Sequence, residues 1–197
     1  MKKDYPPLTP RHLKPGATFR QPAALAPPRV TLDSPAADGM TDLSYIPAVT
    51  VDPQCAVDAA EQRMIARGVR LLLVVDPEDQ VLGLVTASDI LGEKPMKVLR
   101  AQGGTRRDVL VRDIMTPRER LEVLTMTQVG TAAVGSVVAT LRRSGRQHAL
   151  VVEDSEGGAE QVRGIFSVTQ IARQLGIAIQ TPEVARTFAE IERLLSG

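Results

Sequence analysis

The chain has 197 residues, of which 43 % are apolar and 24 % are charged, as is ordinary for a globular protein. A formal net charge of +1 gives no bulk attraction to nucleic acid or acidic lipid, and the single cysteine, Cys55, excludes an internal disulfide framework. No apolar run approaches the ~20 residues that a membrane-spanning helix needs, and the first residues lack the apolar core of a signal peptide. We therefore expect a cytoplasmic protein that does not contact a membrane.

The N-terminal segment differs in composition from the rest of the chain. Residues 1–40 contain more than half of the prolines and show no apolar periodicity. Proline removes a backbone donor and disfavours helix at the residue before it. The composition predicts a Pro-rich arm over residues 1–42, extended or disordered, in which single apolar side chains can still dock on the body.

A first structural unit is predicted over residues 43–104. A short strand near Val49 leads into a helix that begins at Asp52-Pro53 and ends at Gly68, a favourable C-cap. Residues 71–75 form a continuous apolar strand, a turn follows, and residues 81–85 form a second strand. Further helices are expected near Ala87 and over residues 96–101.

A second unit over residues 105–178 repeats this order. Its first helix carries four apolar residues at helical spacing, which are Val134, Val137, Val138 and Leu141. Gly145 corresponds to Gly68, and two strands then follow over residues 149–152 and 164–167. Such an internal repeat is strong evidence of organisation in a single sequence. Residues 179–197 predict a C-terminal helix that packs on the body.

One motif connects this repeat to a known family. The segment Gly83-Leu84-Val85-Thr86-Ala87-Ser88-Asp89-Ile90 resembles the strand-to-helix motif of CBS domains, and the resemblance covers roughly residues 45–176. It implies a stand-alone tandem CBS protein (a Bateman module) of the α+β class. Two βαββα motifs would pair about a pseudo-two-fold axis, with two clefts between them. Family members commonly form homodimers, so we expect a homodimer here.

The chemistry of the first motif can be argued from its residues. Thr86 and Asp89 stand three positions apart across a helix start, so both side chains can face one cleft. An ionised Asp accepts hydrogen bonds from a ribose diol, and a hydroxyl beside a helix N-terminus suits a phosphate. Helix capping is the alternative role for both residues, because Thr and Asp favour such positions.

The resemblance implies a regulatory ligand and further site residues. CBS domains bind AMP, ADP, ATP or S-adenosylmethionine, and no cofactor is required. By this resemblance Thr86 and Asp89 contact the ligand, and Arg70 supplies the basic side chain that precedes the first apolar strand. Ile46-Pro47-Ala48 would border the base.

The second unit departs from the family pattern. Ser167 replaces the Thr, and Gln170 stands where the pattern has Asp. A neutral amide matches a ribose diol less well than a carboxylate does, so we expect one competent site or two unequal ones. Met115, Thr116 and Pro117 are predicted to border a ligand in this half.

These features favour a nucleotide-sensing regulatory module that signals to an unidentified protein partner by a conformational change. Two histidines and one cysteine assemble no familiar zinc site or nucleophile–base pair, so we expect no enzymatic activity. A second hypothesis is an interaction module that has no nucleotide ligand. A third, less favoured one is a nucleic-acid-associated regulator that uses the basic residues of the arm.

Overall fold

The computed structural model describes residues 29–155, 158–177 and 191. Within them the strands are Thr41–Asp42 (β1), Thr50–Val51 (β2), Leu71–Val75 (β3), Val81–Thr86 (β4), Thr116–Pro117 (β5), Val123–Thr125 (β6), His148–Asp154 (β7) and Glu160–Ser167 (β8). The α-helices are Val57–Arg67 (α1), Ala87–Leu91 (α2), Lys94–Gln102 (α3), Val111–Ile114 (α4), Met126–Thr131 (α5), Val134–Ser144 (α6) and Val168–Gln174 (α7). The strands form two sheets, ordered β2-β3-β4-β5 and β1-β8-β7-β6.

The first sheet has the predicted strand–helix–strand–strand order. β2 runs parallel to β3, which forms an antiparallel hairpin with β4. Helix α1 ends as expected at Gly68, whose φ of 64° is left-handed and satisfies the terminal carbonyls. The predicted start at Asp52-Pro53 is wrong, because the Asp52 carboxylate accepts from Gln54 N at 2.6 Å and closes a turn there. The helix begins five residues after Asp52, at Val57.

The second sheet repeats this arrangement, so the predicted α+β duplication is confirmed. β6 runs parallel to β7, and β7 pairs antiparallel with β8. Both hairpins change register at the corresponding point, at Val74/Val75 in the first and Val151/Val152 in the second. Helix α6 buries the four predicted apolar residues and ends at Gly145, with φ 65°.

The two units exchange their edge strands. β1, which precedes the first unit, pairs with β8 of the second sheet, and β5, which precedes the second unit, pairs with β4 of the first sheet. Two isolated bridges show the same exchange, Pro35 with Ala133 and Ala56 with Leu110. Each unit is therefore completed by the segment that leads into the other one.

This exchange corrects two predicted boundaries. Residues 29–42 include a 3₁₀ helix, Ala36–Gly39, and β1, so this part of the predicted arm is ordered, and Val30 docks in the core of the second unit as the composition allowed. The segment after residue 104 packs on the first unit, where Val109, Val111 and Ile114 join the core. Residues 1–28 of the predicted arm lie outside the described part of the chain.

Alternate residues along the strands serve two different interfaces. Leu72 and Val74 face the helices of the first unit, whereas Leu71 and Leu73 contact Leu150 of the second sheet. The two sheets therefore stack face to face with helices on their outer sides. This packing leaves the helix starts that follow β4 and β8 at the junction between the units.

One residue of the C-terminal segment is placed in the core of the second unit. Of the predicted C-terminal helix over residues 179–197, only Ile191 is described, and it is fully buried in the second core. Among the described residues, no helix combines the length and the apolar character that crossing a membrane would require.

Candidate functional site

A cleft between the two units holds the motif that the sequence singled out. This first cleft encloses about 320 Å³, at the lower end of the range of small-molecule sites. It combines the end of β4 and start of α2 with the loop that enters β7. Its lining residues are Leu84, Thr86, Ser88, Asp89, Thr116, Leu121, Glu122, Gly145, Arg146, Gln147, His148 and Leu150.

Thr86 and Asp89 form a capping box at the start of α2. Asp89 Oδ2 accepts from Thr86 N at 2.8 Å and from Thr86 Oγ1 at 2.7 Å, and Thr86 Oγ1 accepts from Asp89 N. Asp89 Oδ1 lies 2.7 Å from Lys94 Nζ, which also donates to Ile114 O. The capping role and a place in the cleft are therefore combined in the same two side chains.

These contacts hold the Asp89 carboxylate in one orientation but do not use all of its acceptor positions. An ionised carboxylate has about four acceptor positions, and the contacts with Thr86 and Lys94 account for three of them. The Asp89 side chain keeps 15 % exposure at the cleft wall. α2 has only five residues, so its dipole adds little to the predicted phosphate site at this helix N-terminus.

The second unit supplies the opposite wall of the first cleft. Gln147 Nε2 donates to Ser88 Oγ at 3.1 Å, which links the two units across the cleft. Arg146 Nη2 lies 3.1 Å from Glu122 Oε2, but the Glu122 side chain is 80 % exposed. Such an exposed ion pair contributes at most about 1 kcal/mol, so Arg146 can exchange its partner for another anion at little cost.

A second cleft lies on the other side of the same junction. It encloses about 160 Å³ and is lined by Thr41, Gly68, Val69, Arg70, Leu71, His148, Ile165, Ser167, Thr169, Gln170 and Arg173. Ser167 and Gln170 thus lie together, as the repeat predicts. The structure does not bring Arg70 together with Thr86 and Asp89, because Arg70 lines this second cleft instead.

Arg70 lines the second cleft because the two units pair about a two-fold axis. The Arg70 carbonyl does accept from Ala87 N at 2.9 Å, next to Thr86, but its side chain faces the other unit. Gln147 mirrors this arrangement: its carbonyl accepts from Val168 N at 3.0 Å, while its side chain reaches Ser88. Each cleft therefore combines the helix start of one unit with the hairpin entry of the other.

The same pairing changes the predicted role of three residues that precede the second unit. Thr116 lines the first cleft, not the second. Pro117 is paired with Gly83 in the first sheet, and Met115 packs against the first core. The residue at the corresponding place in the second cleft is Thr41, which the sequence analysis assigned to the arm.

The predicted base-binding loop is placed elsewhere. Pro47 and Ala48 border a separate hollow with Arg63 and Arg67, whereas Ile46 is 55 % exposed. The structure does not bring these three residues into the described lining of either cleft, so their contact with a base stays a prediction. Ala48 instead packs against the apolar cluster between the two sheets.

His148 is the residue that both clefts share. Its side chain is partly exposed, but its Nδ1 atom is buried and has no hydrogen-bond partner in the described part of the chain. Burial is the main cause that lowers the pKa of His148 to about 4, and the positive charge of Arg70 lowers it further, whereas Asp89 opposes the shift. The imidazole is therefore neutral near pH 7.

Sequence reasoning missed the contribution that each unit makes to the other unit's cleft. Arg146 and His148 could have been assigned to the first cleft by applying the two-fold relation to the hairpin entries. Arg173 has no motif signal, because it lies a full helical turn beyond the Ser167–Gln170 pair. Within the described ranges, no group of three His, Cys, Asp or Glu side chains is placed to hold one metal ion.

Comparisons with known proteins agree with this architecture. The family model described as "CBS domain" matches residues 40–95. A crystal structure of an uncharacterised conserved protein from Pyrococcus horikoshii gives a TM-score of 0.53 at 22 % identity and covers 77 % of this chain and 99 % of that chain. A CBS-domain containing protein from Agrobacterium tumefaciens gives 0.50 at 20 % identity, over 67 % of this chain and 88 % of that one. No curated protein matches the sequence.

The family match begins at Met40, where the structure also places the start of the repeat, and it covers the first unit. The second unit repeats the topology of the first strand for strand. The two solved structures share this fold over most of their length. Residues 40–95 therefore match a CBS domain, and the chain has the fold of two such units in tandem.

Proposed function

We infer that the protein is a regulatory module that binds an adenosine-type nucleotide, such as AMP, ADP, ATP or S-adenosylmethionine, in the first cleft. The observation that carries this proposal is the meeting of Asp89 and Thr86 with Arg146 in one cavity of suitable size. An acceptor for a diol and a donor for a phosphate thus stand on opposite walls. A nucleotide carries these two groups on one molecule, since its ribose is bonded directly to its phosphate.

The ribose end is assigned to Asp89. Its carboxylate is held by Thr86 and Lys94, so it is oriented before any ligand arrives. Hydrogen bonds to a charged acceptor contribute about 1.5–3 kcal/mol each, because the ionised group strengthens them. A fixed carboxylate also loses little side-chain entropy on binding.

The phosphate end is assigned to Arg146. Its current partner Glu122 is solvent-exposed, and an Arg fork matches the oxygens of a phosphate in two parallel hydrogen bonds. Leu84, Leu121 and Leu150 give the cleft an apolar surface against which the purine ring, on the other side of the ribose, can pack. The chain has no Trp, so aliphatic side chains take this role.

A ligand that touches both walls bridges the two units. If one relative placement of the units makes more of these contacts, the ligand shifts the population toward it. The Gln147–Ser88 hydrogen bond crosses the same cleft and is the first contact that such a movement would alter. A regulatory output to a protein partner follows from this coupling.

Calorimetric titration of the purified protein with AMP, ADP, ATP and S-adenosylmethionine tests the proposal. We expect one of them to bind, and Asp89→Asn to weaken that binding by about 10- to 100-fold, through loss of one charge-assisted hydrogen bond. Arg146→Gln should weaken nucleotides that carry phosphate but leave adenosine unaffected.

The chain offers a matched control for the Asp89 variant. Thr105 and Asp108 form an equivalent capping box, with Asp108 Oδ2 accepting from Thr105 N at 2.8 Å, and neither residue lines a cleft. Asp108→Asn should therefore leave ligand affinity unchanged. Failure of all four ligands to bind, or equal losses in both variants, would contradict the proposal and favour an interaction module that has no nucleotide ligand.

A homodimer is the assembly that the family resemblance implies. We expect sedimentation to give twice the mass of the chain with or without ligand, and the ligand to change the protection of amides near α2 from hydrogen exchange. A monomer at every concentration, or unchanged protection with bound ligand, would contradict this part of the proposal. The nucleic-acid alternative depends on basic residues of the arm that lie outside the described residues.

A further inference from the structure

The two clefts have the same architecture but opposite charge. The first cleft is lined by two carboxylates, Asp89 and Glu122, beside one Arg. Among the described residues, the second cleft is lined by two arginines, Arg70 and Arg173, and by no carboxylate. The chain thus places different chemistry at equivalent positions of its two repeats.

Equivalent positions of the two clefts carry residues of different charge. Gln170 in the second cleft stands where Asp89 stands in the first, and Arg70 stands where Gln147 stands. Compared with the first cleft, the second cleft therefore lacks the carboxylate acceptor for a ribose diol and carries an additional positive charge at the hairpin entry. Gln170, on the opposite wall from Arg70, is a neutral amide and gives that arginine no negative partner.

The arginines of the second cleft form no ion pair with the described part of the chain. Among the residues that the structure describes, neither Arg70 nor Arg173 has a carboxylate oxygen within 4.0 Å. Arg106, by contrast, is held by Asp58 at 2.7 Å and Glu61 at 3.2 Å and fastens its segment to α1. Two guanidinium groups beside one cavity repel each other unless an anion lies between them.

The neutral groups of the second cleft suit the same kind of ligand. Ser167 has no side-chain hydrogen bond at the start of α7, unlike Thr86 at the start of α2, and Thr169 also lines the cavity. His148 also lines this cleft, but its Nδ1 is buried, so the two hydroxyls are the neutral donors that an anion can reach.

The size of the cavity limits what can fill it. Its volume of about 160 Å³ is half that of the first cleft and lies below the range of about 300–1,000 Å³ for sites that enclose a drug-sized ligand. A whole nucleotide exceeds this space. A phosphate or a pyrophosphate does not.

We propose that the second cleft is an anion site that binds a phosphate-type group, of the size of pyrophosphate, through Arg70, Arg173 and Ser167. The site does not depend on the nucleotide site proposed for the first cleft, because none of these three residues lines that cleft. The chain would then read a nucleotide and a phosphate anion separately, at the two sides of one junction.

Titration of the full chain with pyrophosphate, followed by calorimetry and by ³¹P NMR line broadening, tests the proposal. We expect one pyrophosphate to bind per chain, and Arg70→Gln to weaken it at least about 10-fold by removing charge-assisted hydrogen bonds. Asp89→Asn should leave pyrophosphate binding unchanged, which separates this site from the proposed nucleotide site.

Arg67→Gln is the matched control, because Arg67 is a surface arginine of α1 that borders neither cleft. An equal loss in Arg67→Gln and Arg70→Gln would show general charge attraction and overturn the proposal. Displacement of pyrophosphate by adenosine would also overturn the proposal, because pyrophosphate would then occupy the first cleft. Circular dichroism of each variant distinguishes a lost site from a lost fold.

Competition with ATP distinguishes the two possible sources of the phosphate group. Free pyrophosphate and the phosphate tail of ATP share the chemistry that Arg70 and Arg173 recognise. If ATP competes with pyrophosphate in the wild type and adenosine does not, the tail of a nucleotide can enter the second cleft. If ATP leaves pyrophosphate bound, the site takes the free anion.

Discussion

Gly83→Ala is expected to lower the free energy of unfolding by roughly 3 kcal/mol, the upper end of what overpacking costs. A Cβ at this position would overlap the Thr116 carbonyl oxygen and lie 3.1 Å from Pro117 Cα. Both contacts are backbone atoms of β5, the strand that pairs with β4 at Gly83. Backbone cannot rotate away as a side chain can, so the two strands must separate.

The internal repeat supplies a comparison for this variant. Gly164 is the equivalent glycine of β8, but its added Cβ would meet the Sδ and Cε atoms of Met40. An unbranched thioether side chain can adopt another rotamer, so Gly164→Ala should cost only about 1 kcal/mol. Gly130 in α5 has nothing within 4 Å of the added Cβ, and Gly130→Ala should stabilise by up to about 1 kcal/mol.

Urea unfolding followed by circular dichroism measures all three variants on one scale. The expected order of stability is Gly130→Ala, then Gly164→Ala, then Gly83→Ala. If Gly83→Ala were no less stable than Gly164→Ala, the close approach of β5 to β4 would not exist in solution. Because Thr116 also lines the first cleft, Gly83→Ala should in addition weaken the proposed nucleotide site.

The sequence predicted the elements that carry a periodic or capping signal. α6 was predicted from its four apolar residues, and both helix ends from Gly68 and Gly145, because these patterns follow from local geometry. The edge strands β1 and β5 have two residues each and show no periodicity. Their pairing with the opposite unit is decided by tertiary packing, which local patterns do not report.

In the candidate site, too, the sequence predicted the local contacts but not those that depend on the pairing of the units. Thr86 and Asp89 lie three residues apart, so their meeting follows from one helix turn. The side chain of Arg70 is separated from them by the alternation of the strand and by the two-fold pairing, although its carbonyl bonds Ala87. A repeat tells which residues are equivalent, but only the pairing of the units tells which cleft each side chain enters.

His148→Leu is expected to remove an acid-dependent loss of stability that the wild type shows between about pH 7 and about pH 5. The folded pKa of His148 is about 4, against 6.5 for an unperturbed imidazole, so the unfolded chain binds more protons throughout this interval. Stability therefore falls as the pH is lowered, by about 2 kcal/mol over these two pH units. The contribution is fully present only above pH 6.5 and is lost progressively toward pH 4.

Leucine is the appropriate replacement because the equivalent residue of the first unit is Leu71. Leu71 pairs with Thr86 in its sheet as His148 pairs with Ser167, and both border the junction between the units. A leucine has no proton to bind and leaves no buried nitrogen without a partner. At neutral pH, His148→Leu should therefore be as stable as the wild type or more so.

The experiment is urea unfolding of both proteins at about pH 7, 6 and 5, with the difference between them as the result. The other histidine, His12, is present in both chains, so its titration cancels in that difference. The carboxyls whose pKa is lowered by hydrogen bonds, Asp42 and Asp108, also cancel and titrate mostly below this interval. Parallel stability curves would show that His148 is not buried as a neutral group between the two clefts. A gap that widens as the pH falls would establish that burial, because only a group with a lowered folded pKa makes the unfolded chain bind more protons in this interval.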